Sequence, residues 1–248
     1  MSPMTVLPIQ TRLFQARENL TRFIVESTPR EQTKEKMILV VTSKIVSLAE
    51  DRFAPVSGLS KQELVERESD VYLGEIGYGC FLTIKHGLMI ASAGIDESNS
   101  ANGDYILFPE DPFASAQKLW HELREAWDLE ELGVLLTDSK TTPLRRGTSG
   151  ICLSYWGFNA VINMVDTPDL FGRMLKMTRM NMADGLAGAA VMLMGEGRES
   201  RPLAVIHNSG VEFTQQTDPS EILIPLEEDL YYPILRQAGE KAVAERPK

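Results

Sequence analysis

The spacing of apolar residues along the chain assigns its elements. After a short opening strand, Leu13, Ala16, Leu20, Phe23, Ile24 and Val25 recur at helical intervals, predicting a helix from Arg12 to Ser27 that Pro29 closes. Met37 to Thr42 is a continuous apolar run of the length of a buried strand, and it breaks into the polar pair Ser43-Lys44. Phe81 to Lys85 and Leu88 to Ala91 flank His86-Gly87, the pattern of a tight hairpin, and lead into a polar loop from Ala93 to Asn99. Pro112 to Trp127 predicts a helix, with proline suited to the first turn and Phe113, Ala116, Leu119, Trp120 and Leu123 facing inward. Gly133 to Thr137 reads as a short apolar strand ending on Asp138-Ser139. The chain turns between Met164 and Pro168, and Arg179 to Met194 predicts a helix rich in small residues that ends at Gly195-Glu196-Gly197. Leu203 to His207 reads as a strand, and the polar tail as a helix over about 227–246. These elements predict a mixed α/β fold, of the α+β kind with a mixed sheet. No repeat or Ser/Gly/Pro-rich linker divides it, so residues 1–248 read as one domain.

Composition narrows the function. At 248 residues and 43% hydrophobic the chain can bury a sizeable core, and its net charge of -10 argues against nucleic acid, which requires clustered cations. A local basic pocket for a small anion remains compatible with that charge. The two cysteines, Cys80 and Cys152, lack CxxC spacing and sit in apolar surroundings, which implies buried thiols and a reducing compartment. No run approaches the roughly 18 apolar residues needed to cross a bilayer, and the first residues lack a signal-peptide pattern, so a cytoplasmic protein is expected.

The polar residues beyond the apolar runs are the candidates for chemistry. Asp96 and Asp138 each follow a hydrophobic segment, and oxygen donors of this type suit magnesium or manganese, although spacing alone equally fits turn formers or caps. Lys44 follows a strand end, where a compact cation can meet a phosphate or simply face solvent. Arg145 and Arg146 offer guanidinium forks for a phosphate or a carboxylate. Gly195-Glu196-Gly197 fits either a helix cap or a close backbone approach to a ligand. The chain has no GxxxxGK[ST] and no dinucleotide fingerprint after a strand, so any nucleotide is held by other means. His121 reads as structural, and His86 is the one histidine placed to warrant a test.

Several segments taken in order resemble the coenzyme F420-0:L-glutamate ligase family. They are Val40 to Glu50, Lys85 to Asp96 with Ser98-Asn99, Phe108 to Pro112 with Ser115-Ala116, Thr137-Asp138, and Asp169 to Arg173. The resemblance spans about residues 6–208 and implies that family's ligase fold, built as an interlocked homodimer. It also implies an activity: a nucleoside triphosphate, GTP or ATP, activates an acceptor carboxylate as an acyl phosphate, and the amine of L-glutamate displaces phosphate to form an amide. Two divalent cations, magnesium or manganese, are implied, with Asp96, Asp138, Ser139 and Glu196 as ligands. Leu7, Pro8, Ile9, Ser43, Lys44, Asn99, Gly195 and Gly197 stand at nucleotide-contact positions, and Lys44 and Arg145 are the implied catalytic cations.

The departures concentrate in one loop. After Thr137-Asp138 the family continues with a threonine, an arginine, a tryptophan and an aspartate that this chain lacks, although Pro143, Arg145 and Gly147 are kept within Ser139 to Gly150. Losing a cation, a stacking surface and a carboxylate removes groups suited to a large anionic acceptor. Tyr155-Trp156-Gly157-Phe158 is the candidate replacement aromatic wall. The expected partners are therefore an acceptor carboxylate, L-glutamate or a similar amine, and a second copy of the chain. Alternatives are the same ligation on another acceptor such as a folate-like pteridine, a non-catalytic nucleotide-binding protein, or a phosphate-ester hydrolase using the same cations.

Overall fold

The computed structural model describes residues 2–98 and 103–237. From the N-terminus the chain forms β1 (Thr5–Ile9), α1 (Leu20–Ser27), β2 (Met37–Thr42), α2 (Ser43–Ala49), β3 (Phe53–Ala54) and α3 (Lys61–Glu68). There follow β4 (Val71–Gly77), β5 (Cys80–Lys85), β6 (Leu88–Ala91), β7 (Tyr105–Ile106) and α4 (Pro112–Trp127). The C-terminal half adds β8 (Leu132–Thr141), β9 (Thr148–Trp156), β10 (Val161–Asn163), β11 (Arg179–Asn181), α5 (Met182–Met194) and β12 (Leu203–His207).

The main sheet has the order β1-β12-β2-β8-β9, with β2 and β8 parallel and its other neighbours antiparallel. Strand periodicity sorts β2 between two cores. Met37, Leu39 and Val41 pack with Phe23, Ile24, Leu119, Trp120 and Leu123 on the face covered by α1, α2 and α4. Ile38 and Val40 pack with Ala183, Leu186, Ala187 and Ala190 of α5 on the other. The result is a three-layer α/β arrangement, with β4-β5-β6 as a separate three-stranded sheet. Pro8 lies in β1, whose one neighbour is β12, and an edge strand accommodates its missing N–H. Among the described residues no helix is long and apolar enough to cross a membrane.

Local sequence explains where α4 and the hairpin form. Asp111 caps α4 by accepting the Ala114 N–H at 3.0 Å, Pro112 opens it, and Asp128 in the left-handed region (φ 54°) ends it. His86 (φ 52°) and Gly87 (φ 74°) make the two left-handed turn residues that join β5 to β6. The helix expected from Arg12 to Ser27 forms only from Leu20. Arg17 has φ 64°, Glu18 turns back onto the Gln15 N–H, and Asn19 caps α1 by accepting the Arg22 N–H at 2.7 Å. Leu13, read as core, is 74% exposed.

Three further boundaries differ from expectation. Ser43 and Lys44 open α2 rather than a loop. Arg179 to Asn181 is not helical but pairs as β11 with β10, and Asn181 then caps α5. The strand expected to stop at Thr137 continues to Thr141, because β9 pairs with it out to Thr148 and extends both strands beyond the core as an arm. The tail holds a short 3-10 turn at Leu226–Glu228 and is helical over 232–237, while residues 238–248, the rest of the expected C-terminal helix, lie outside the described residues. Cys152 is buried as expected, whereas Cys80 is half-buried.

Candidate functional site

At the adjacent C-terminal ends of β2 and β8, where parallel strands open onto the end of α5, lies a cleft of about 320 Å³. Ligands of α/β proteins gather at such strand ends, because the loops that leave them are free to vary while the sheet stays fixed. Its lining includes Lys44, Asp96, Asp138, Ser139, Gly195, Glu196 and Gly197, so one cavity gathers residues that lie far apart in the chain. Asn99 lies outside the described residues.

Asp96 is delivered by a constrained turn. Ser92 (φ 50°) and Ala93 (φ 55°) are left-handed, and a Cβ on Gly94 would fall 2.2 Å from the Phe108 ring, so the chain passes tightly under it. The Thr83 hydroxyl accepts the Ala93 N–H at 2.9 Å, and Asp96 exchanges two backbone hydrogen bonds with Ile106, each 2.9 Å. Its carboxylate meets the Lys44 ammonium at 2.5 Å. Burial disfavours the Asp96 charge, but Lys44 and the Ser98 N–H outweigh it and hold this carboxyl below its ordinary range.

Asp138 stands in β8 itself, not on a loop beyond it. The Ser43 hydroxyl at the start of α2 lies 3.4 Å from its Oδ1. Burial pushes the Asp138 carboxyl up to about 7 against the Ser139 backbone N–H; the charges of Asp96 and Glu196 add to the rise and Lys44 opposes it. Two carboxyls in one cleft are thus held apart in acidity by their surroundings.

Beside Asp138 the β8–β9 ladder is irregular. Leu136 pairs with Ser154 but Thr137 with Cys152, so Leu153 is the extra residue of a bulge, a feature that re-aims strands near functional sites. The Cys152 N–H is taken by Asp184 of α5 at 2.9 Å. α5 itself lies close to β9, since a Cβ on Gly150 would fall 2.5 Å from the Ala187 carbonyl oxygen. Past α5, the Glu199 carboxylate accepts the Gly197 N–H at 2.8 Å and closes the Gly195-to-Glu199 turn that rims the cleft.

Among the described residues no three His, Cys, Asp or Glu side chains converge as a ready-made metal cage. The donor set nonetheless fits a hard divalent cation, which takes one or two carboxylates and completes its shell with water and phosphate oxygens. The Asp96 charge bears on Asp138, Ser139 and Glu196 line the same cavity, and the buried Thr137 hydroxyl at these strand ends has no hydrogen-bond partner among the described residues.

Other expected positions lie elsewhere. Leu7, Pro8 and Ile9 belong to β1 and do not line the cleft, whereas the segment from Thr11 to Phe14 that follows them does. Arg145 is exposed in the turn at the arm tip, seven residues beyond Asp138, and does not line the cleft. The expected aromatic wall is core: Tyr155 and Phe158 are fully buried, and the Tyr155 hydroxyl donates to the Asp218 carbonyl at 2.9 Å. His86 holds the hairpin turn, its N–H donated to Asp70 at 2.6 Å, and lies outside the cleft. Thr42 and Thr137, expected only as parts of matched segments, and Arg198, Glu199 and Arg201, not expected at all, also line the cleft. For the two arginines a signal existed, since Arg198 follows Gly195-Glu196-Gly197 directly and Arg201 comes three residues later.

The scaffold is that of an α/β protein whose cleft of carboxylate, hydroxyl and cationic side chains opens at parallel strand ends. Residues 8–208 match the model of the F420-0:Gamma-glutamyl ligase family, and the chain belongs to that family. It is similar to the coenzyme F420:L-glutamate ligase of Methanococcus maripaludis strain C7, 31% identical over 92% of this chain and 97% of that protein. The enzyme of the same name from Methanopyrus kandleri is 29% identical over 82% of this chain and 85% of its own. That of Methanothermobacter thermautotrophicus is 32% identical over 68% and 73%.

Proposed function

We propose that this chain is an amide ligase that joins L-glutamate to an acceptor carboxylate through an acyl phosphate, at the expense of GTP or ATP. Its family supports the reaction class, and the observation that carries the assignment to a site is the convergence of Lys44, Asp96 and Asp138 in one cleft. An acceptor carboxylate oxygen attacks the terminal phosphorus, and the nucleoside diphosphate leaves. The amine then attacks the acyl carbon, phosphate leaves, and the amine proton is lost. Asp96, Asp138, Ser139 and Glu196 would hold magnesium or manganese, which when bound neutralises phosphate charge and screens the nucleophile from it. Lys44 would give its ammonium to the transferred phosphoryl group. Ser43 and the Gly195–Gly197 turn would fix the nucleotide, with Arg198 and Arg201 adding positive charge at the rim.

The acceptor is a separate matter, and the altered arm favours a second reading. Thr141 to Ser149 are all exposed and lie away from the cleft of their own chain, so Arg145 would act from the arm of one copy on a second copy in a homodimer. An arm that retains this arginine but lacks the family's tryptophan and aspartate favours ligation to an acceptor other than F420-0. The test is purified protein with GTP or ATP, magnesium or manganese, glutamate and either F420-0 or a panel of carboxylates, followed by phosphate release and product mass. Amine- and acceptor-dependent amide is expected. Phosphate released without amine or acceptor would instead identify a hydrolase.

A further inference from the structure

Two threonines line the floor of the cleft, and among the described residues neither hydroxyl makes the bond its place in the fold would give it. Thr42 and Thr137 are direct partners in the parallel β2–β8 register, the last paired residues before β2 gives way to α2, and both line the cleft. Residues paired across parallel strands point to the same side of the sheet. Thr137 is 1% exposed, and its buried Oγ1 has no hydrogen-bond partner among the described residues. Thr42 occupies the N-cap position of α2, where a threonine hydroxyl ordinarily accepts a helix N–H, yet its side chain makes no such bond.

A buried unpaired hydroxyl costs stability, and strand β8 had an inexpensive alternative. Its other buried positions from Leu132 to Leu136 are apolar, and valine would fill the volume of threonine without a polar atom. The bulge that turns the ladder falls at this residue, and Asp138 follows it. A group that is costly to the fold and placed at a cleft floor is matched by a ligand atom that completes it.

We propose that Thr137, with Thr42 beside it on the α5 face of the strand ends, is a positioning residue whose hydroxyl donates to an oxygen of the ligand seated in this cleft. That oxygen belongs either to the hydration shell of a divalent cation or to a phosphate the cation holds. The inference rests on the reading of the cleft as a metal and nucleotide site, and it adds two residues to which that reading gave no part.

The experiment compares wild type, Thr137→Val, Thr137→Ser and Thr42→Val. Melting temperature is measured on each free protein, and binding of manganese alone and of manganese with tripolyphosphate is measured by calorimetry. Thr137→Val is expected to melt at or above the wild-type temperature while binding about tenfold more weakly, and Thr137→Ser to restore binding. A loss with manganese alone assigns the partner to the hydration shell. A loss confined to tripolyphosphate assigns it to phosphate. Thr42→Val, which breaks no cap, is expected to weaken binding in the same probe, so the proposal stays testable even if Thr137→Val fails to fold. Wild-type affinity in both valine variants would overturn the inference alone. A wild-type protein that binds neither probe would overturn the metal and nucleotide reading and this inference with it.

Discussion

At the scale of single residues, the cleft is governed by how two carboxyls share one set of charges. Asp138 is pushed up to about 7 by burial, against the Ser139 N–H, with Asp96 and Glu196 adding to the rise, while Asp96 is held down by Lys44 once its own burial is overcome. The sign of the linkage follows from the raised value. The unfolded chain loses this proton near the ordinary aspartate value of about 4 and the folded chain only near 7. Between those limits the folded state binds more protons, so its stability falls as pH rises, and the penalty is complete above 7. Asp138→Asn is therefore expected to raise the melting temperature of the metal-free protein at pH 8 and to bring a smaller gain at pH 5. A gain independent of pH would show that the carboxyl is not held in this way. The same neutral side chain cannot supply a charged ligand, so manganese binding should be lost at both values.

Among the elements, α5 and the β8–β9 arm decide whether the floor and the rim of the cleft meet. Gly150 lets the helix approach β9, and a methyl group there would lie 2.5 Å from the Ala187 carbonyl oxygen and 2.7 Å from the Val191 side chain. Gly150→Ala is expected to cost about 1–3 kcal/mol in denaturant unfolding and to weaken manganese–tripolyphosphate binding by displacing the Gly195–Gly197 turn. Destabilisation without any change in binding would separate the packing of α5 from the site. Legibility in the sequence also varied by element, for physical reasons. The limits of α4 could be read because Asp111, Pro112 and the inward stripe agree locally, and β2 and β12 because apolar runs of five and four residues, each closed by one polar residue, form buried strands. The segment from Arg12 to Glu18 misled because helical spacing of Leu13 and Ala16 carries no information about the left-handed Arg17 that breaks it. Asp138 and Arg179 were misplaced because a distant partner strand sets the local conformation in both cases. Thr137 was illegible because a threonine ending an apolar run looks like ordinary strand sequence, and its want of a partner exists only in three dimensions.

For the whole molecule, the arm tip lies apart from the cleft of its own chain, and in the proposed homodimer it would serve a second copy. The tip bears Leu144, fully exposed, together with Arg145 and Arg146, and contributes nothing to the cleft lining. Replacing residues 142–147 by a two-residue turn is expected to leave manganese–tripolyphosphate binding within about twofold, the change of a few tenths of a kcal/mol usual for surface substitutions remote from a site. The same variant should lose amide formation and shift the mass in solution toward a single copy. Unchanged mass with intact product would remove both the arm and Arg145 from the mechanism.

The contact between Lys44 and Asp96 has a bearing on the order of events. Each is the other's counter-ion, at 2.5 Å, and Ser98 touches both, its hydroxyl 3.3 Å from the Lys44 ammonium and its N–H given to Asp96 at 2.6 Å. A cation arriving alone would leave an ammonium unneutralised, and a polyphosphate arriving alone would leave a carboxylate facing it. Brought together, they exchange partners with both charges satisfied at once. At the proposed metal and nucleotide site the pair would therefore couple the two ligands, each strengthening the other's binding reciprocally as linkage requires.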